Sequence, residues 1–70
     1  MEDKMAVARV SEITAASTKG FQAAFQEGID RATETLRNIT GAEIISQKAK
    51  IENGKISEYR VTMKITFILE

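Results

Sequence analysis

The stretch GAEIISQKAKIENGKISEYRVTMKITFILE, Gly41 to Glu70, decides the fold. In its second half Tyr59, Val61, Met63, Ile65, Phe67 and Leu69 share one face and Arg60, Thr62, Lys64 and Thr66 the other. That period of two marks a half-buried strand. Asn53-Gly54 interrupts the stretch, and Asn-Gly is the preferred pair for a two-residue type I′ turn because both positions need positive φ. The stretch is therefore a β-hairpin. Counting outward from Glu52 opposite Lys55 sets Ile44 against Met63 on the inner face and Glu43 against Lys64 on the outer one. A slip of one residue would destroy both matches. The same count puts Ser46 and Lys48 on the inner face, beside Val61 and Tyr59.

Upstream, Met5 to Thr14 carries Val7, Val10 and Ile13 among polar residues without a sustained helical period, and the β-branched content predicts a strand. Ala15 to Gly20 is small and polar and reads as a turn, with Ser17 or Thr18 as the helix N-cap. From Phe21 to about Asn38, the residues Phe21, Ala24, Phe25, Ile29, Ala32 and Leu36 fall on one helical stripe, which reads as core facing a sheet. Glu27, Asp30, Arg31, Glu34 and Arg37 lie opposite. Glu27 stands four residues before Arg31, the favourable order for a helical ion pair, and Arg37 suits the negative pole of the helix dipole. Gly28 in mid-helix costs up to about 1 kcal/mol relative to alanine, which points to a close approach there.

The order is β-α-β-β, an α+β fold. The helical crossover makes the first two strands parallel and non-adjacent, with the most apolar strand, the last, between them and antiparallel to both. A helix of about eighteen residues is about 27 Å long. A last strand of roughly fifteen residues extends about 50 Å. The helix cannot cover such a hairpin, so other copies of the chain are expected to cover it in a closed homo-oligomer.

Composition bounds the function classes. The chain has 70 residues with no cysteine, no histidine and no proline. That is one small domain over residues 1–70, with residues 1–4 a polar tail, no disulfide or thiolate site, and neither the commonest zinc ligand nor the commonest general base. Ten basic and ten acidic residues cancel, so no field gathers nucleic acid or a membrane surface. No apolar run reads as a signal peptide or membrane span, and the expected location is cytoplasmic. There is no phosphate-binding glycine loop, no paired-cysteine motif, no nucleophile with a base and no EF-hand spacing. Lys48, Lys50 and Lys55 near the turn read first as a solvated hairpin end that discourages edge pairing, and second as a phosphate contact.

Taken together, Ala32-Thr33-Glu34-Thr35-Leu36-Arg37-Asn38, Ala42-Glu43-Ile44-Ile45, Asn53-Gly54-Lys55 and the run from Glu58-Tyr59-Arg60-Val61 to Phe67 resemble the dodecins, over about Val7 to Glu70. The resemblance implies a three-stranded antiparallel sheet partly wrapped around one helix. It also implies assembly into a hollow homododecamer that stores or quenches flavins (FMN or riboflavin) without turning them over. Flavin-binding dodecins carry a tryptophan that stacks on the flavin ring where this chain has Gly41, and a glutamine that bonds the ring's polar edge where it has Arg60. Glycine has no aromatic face, and arginine only donates hydrogen bonds.

An arginine at 60 without the tryptophan resembles a branch described as calcium-binding dodecins. Calcium takes six to eight oxygens. Glu43, Glu58 and Glu70 are the carboxylates such a site could draw on. The competing reading pairs Glu43 with Lys64 and Arg60 with a neighbouring carboxylate. The expected function is non-enzymatic binding or storage of a small ligand by a homododecamer with an altered flavin site. The alternative is a structural or calcium-binding scaffold that holds no flavin.

Overall fold

Four elements follow in the expected order in the computed structural model, which describes residues 7–69: β1 (Val7–Ser17), α1 (Phe21–Thr35), β2 (Ile39–Glu52) and β3 (Lys55–Leu69). The expected tail, the expected strand residues Met5 and Ala6, and Glu70 lie outside the described residues. The sheet order is β1-β3-β2, with β3 antiparallel to both neighbours. Strand β1 runs beyond its expected end, pairing Ala15 with Val61 and Ser17 with Tyr59. The small side chains at 15 and 17 keep the inner alternation while leaving room for the helix.

The turn is as the sequence requires, with φ of 53° at Asn53 and 75° at Gly54. Glu52 opposes Lys55, Ile44 opposes Met63 and Glu43 opposes Lys64, as the count predicted. Between them the register departs from the count. Ser57 is an extra residue on β3, so Lys50 faces Glu58, Lys48 faces Arg60 and Ser46 faces Thr62; Ile45 is then extra on β2 and restores the original register. The Ser57 hydroxyl donates to the Lys50 carbonyl at 3.2 Å, tying down the first bulge. Each bulge flips the alternation of its own strand. The inner-face partners of Val61 and Tyr59 are therefore Gln47 and Ala49, and the expected Ser46 and Lys48 lie on the outer face.

Neither expected N-cap is used. Gly20 occupies that place, with φ 154° and ψ 173°, a region essentially reserved for glycine. The Ser17 hydroxyl accepts the Lys19 N–H at 3.0 Å, tightening the turn before it. Helix α1 stops at Thr35 rather than Asn38, because Leu36 is extended (φ −106°, ψ 141°) and turns back onto the core. Asn38 takes a left-handed φ of 61°, and its carbonyl accepts the Ile68 N–H at 3.0 Å. Arg37 is thus outside the helix, and no basic residue occupies its last turn. Arg31 turns not to Glu27 but to Glu34, at 3.8 Å between largely exposed groups, a pair worth little.

The core is Ala24, Ala32, Val61, Met63 and Ile65, flanked by Ile13, Ala15, Phe21, Phe25, Ile29, Leu36 and Ile39. Gly28 is where helix and sheet come closest. A Cβ there would lie 2.5 Å from Met63 Cε, 3.1 Å from Met63 Sδ and 3.2 Å from Ala15 Cβ. Gly28→Ala gains up to about 1 kcal/mol of helix propensity. It loses about 1–3 kcal/mol to overpacking, since the Met63 methyl that has to give way belongs to a fully buried side chain with packed neighbours. The expected result is a net loss of stability, read as a lower denaturation midpoint with an unchanged m-value.

The molecule measures 58 × 20 × 16 Å with a radius of gyration of 15.1 Å, against about 11 Å for a compact chain of this length. The 15-residue helix covers only about 22 Å of that length. The hairpin protrudes as expected, and Ile51 and Ile56, paired across its far end, are 58% and 49% exposed.

Candidate functional site

Gly41 and Arg60 both lie on the sheet face away from the helix. Gly41 is the third residue of β2, opposite Thr66 and next to a further register shift at Thr40, and Arg60 sits on β3 between Ala16 of β1 and Lys48 of β2. Thr66 and Arg60 are six positions apart on β3, about 20 Å along the strand. One chain does not bring the two positions together. Gly41 has no positive φ, and a Cβ there would meet nothing within 4 Å. Its backbone does not call for glycine, and the space beside it is open.

Arg60 is engaged. Its Nε donates to Glu58 Oε2 at 2.7 Å, with the arginine side chain 50% and the glutamate 28% exposed. The two are neighbours because residues i and i+2 of a strand share a face. This is the pairing of Arg60 with a nearby carboxylate that the sequence suggested. Glu58 also faces Lys50, whose Nζ lies 3.6 Å from Glu52. Toward the middle of the sheet, Thr14 and Thr62 share a hydrogen bond of 2.9 Å between their hydroxyls, with Ser46 on the other side of Thr62.

Glu43 and Glu58, the calcium candidates among the described residues, are not gathered within a chain. Glu43 faces Lys64, with Glu12 on the far side of that lysine, yet neither carboxylate closes to an ion pair with it. Lys64 and Glu58 are six residues apart on β3, so Glu43 and Glu58 are again separated by about 20 Å. Glu70 lies outside the described residues. Among the described residues no group of three or more acidic side chains is placed to hold a metal ion. An open groove of about 800 Å³ runs between the end of β1 and α1, with Lys19, Gln26, Asp30, Arg31 and Glu58 on its walls. Within it Gln26 donates to Asp30 at 3.0 Å, while Arg31 and Glu58 turn to Glu34 and Arg60 outside it.

The element order and strand order are those the hairpin pattern implies, and the sequence matches the dodecin family model over residues 7–70. The chain belongs to the dodecin family. It is 32% identical to the dodecin of Thermus thermophilus over 59 residues, 84% of this chain and 86% of that protein. The dodecin from Streptomyces davaonensis superposes with a TM-score of 0.91 at 33% identity, covering 96% of this chain and 98% of that one. A calcium dodecin from Mycobacterium tuberculosis, described as a calcium-chelating antigen with a novel calcium-binding site, superposes with a TM-score of 0.80 at 28% identity over 91% of each chain. No helix among the described residues is long and apolar enough to cross a membrane.

Proposed function

We propose that this dodecin forms a cytoplasmic homododecameric shell that binds or stores a small ligand without chemically changing it, at a site where the usual flavin contacts have been replaced. The observation that carries this reading is the placement of Gly41 and Arg60. They stand on one sheet face but about 20 Å apart, so a ligand touching both positions needs two chains. The bare Ile51 and Ile56 supply apolar surface for assembly. The chain has neither histidine nor cysteine to serve as base or nucleophile, which fits binding better than turnover.

Loss of the stacking and amide contacts argues that flavin binds weakly or is replaced by another ligand. Gly41→Trp with Arg60→Gln tests the pocket directly. A Cβ at position 41 meets nothing within 4 Å, and the double variant is expected to quench riboflavin fluorescence at micromolar concentration where the wild type does not. A correctly assembled double variant that leaves riboflavin fluorescence unchanged would count against the assignment. The calcium dodecin of M. tuberculosis supports a second reading, an ion-binding scaffold using Glu43, Glu58 or Glu70 from several chains. Under that reading calcium raises the melting temperature of the wild type and chelator lowers it.

A further inference from the structure

We propose that Arg60, held in place by Glu58, is an anion-binding group, and that the ligand of this face carries a phosphate or carboxylate. This inference rests on the reading that the face opposite the helix holds a small ligand. The ion pair uses only Nε of the guanidinium. Nη1 and Nη2 have no hydrogen-bond partner among the described residues, and the side chain is half exposed. An arginine anchored through Nε presents its other donors as a planar fork, the geometry that matches carboxylate and phosphate oxygens in a bidentate contact.

The surroundings favour negative charge. The two bulges place Lys48 directly opposite Arg60, a like-charge pair that is destabilising by itself. In the uninterrupted register Arg60 would face Gln47 instead, and Lys48 would lie on the other face of the sheet. The strand irregularities thus create the juxtaposition, as bulges do where they re-aim side chains at functional positions. On the opposite flank Ala16 adds only a methyl group, so the fork is open from the β1 side. A bound anion relieves the Arg60–Lys48 repulsion, and Glu58 keeps the guanidinium from turning away.

The test is calorimetric titration of the intact protein with inorganic phosphate, acetate and phenyl phosphate at fixed ionic strength, with native mass spectrometry of the same samples. Phosphate is expected to bind, and Arg60→Gln to weaken it about tenfold or more, since charge-assisted hydrogen bonds are lost. Arg60→Lys keeps the charge but not the fork and is expected to weaken binding as well. Wild-type affinity in that variant would mean diffuse charge alone and would overturn the proposal. Glu58→Gln keeps an oxygen that can accept from Nε, so it is expected to bind phosphate more tightly than Glu58→Ala; equal affinities would remove Glu58 from the site. Tighter binding of phenyl phosphate than of phosphate would assign an organic phosphate ester, and equal binding the free ion. An assembled shell indifferent to all three anions overturns the anion site while leaving the shell intact. A monomer that binds phosphate through Arg60 overturns the shell and keeps the site.

Discussion

Met63→Ala is expected to lower stability by about 2–5 kcal/mol. For a domain of this size that is a fall in Tm of roughly 10–20 °C or more. Met63 is fully buried at the centre of β3, between Ile13 on one side and Ile44 on the other. Its thioether fills the space that the absent side chain of Gly28 leaves under the helix. Because the two residues share that space, their effects are coupled. In the Met63→Ala background, Gly28→Ala no longer meets Cε and Sδ. Its cost should therefore shrink toward the helix-propensity gain, with the 3.2 Å approach to Ala15 Cβ as the strain that remains. Urea melts of the four proteins in this cycle provide the check. An equal loss from Gly28→Ala in both backgrounds would mean that contact with the methionine is not the reason for the glycine.

Ile51→Lys combined with Ile56→Glu is expected to abolish assembly while leaving the protomer folded. The pair lies beyond the helix, half or more exposed, and the new residues face each other with opposite charge. The hairpin should tolerate them within about 0.5 kcal/mol, as exposed positions generally do. Even paired with each other, two charges taken into an apolar contact between chains lose more to desolvation than their mutual attraction returns, and they do so at each repeat of the interface. Repeated around a closed shell, that penalty disfavours assembly by many orders of magnitude. Native mass spectrometry with far-ultraviolet circular dichroism separates the outcomes. A variant that still forms shells would show that the hairpin end is not where the copies meet.

The fold was legible because its determinants are local and repeated. Six apolar residues at a period of two, from Tyr59 to Leu69, and an Asn-Gly pair that accepts positive φ at both positions, leave few alternatives for residues 41–69. The helical stripe from Phe21 to Leu36 then has one sheet face to cover. The family was legible in the same residues. The helix ends were less so. No side chain caps α1, and its exit is set by Leu36 reaching the core, a demand of packing rather than of propensity.

The candidate site was legible only as positions. Gly41 and Arg60 were identified by comparison with a family pattern, and that comparison carried no distance between them. The bulges at Ile45 and Ser57 displace the register in opposite directions, so Glu52–Lys55 and Ile44–Met63 agree with an unbroken count on both sides of them. Pairs checked outside the displaced segment could not reveal it.

The sequence by itself determined the element order, the central position of β3, the turn at Asn53-Gly54 and an overlong hairpin, because each follows from spacing along the chain. Only the tertiary structure decided that Lys48 faces Arg60, that Glu58 is the neighbouring carboxylate and holds the guanidinium through Nε, and that Gly28 makes room for Met63. These depend on how strands and helix settle against one another, and a one-residue bulge reverses the side on which a side chain emerges without altering the pattern that signals the strand.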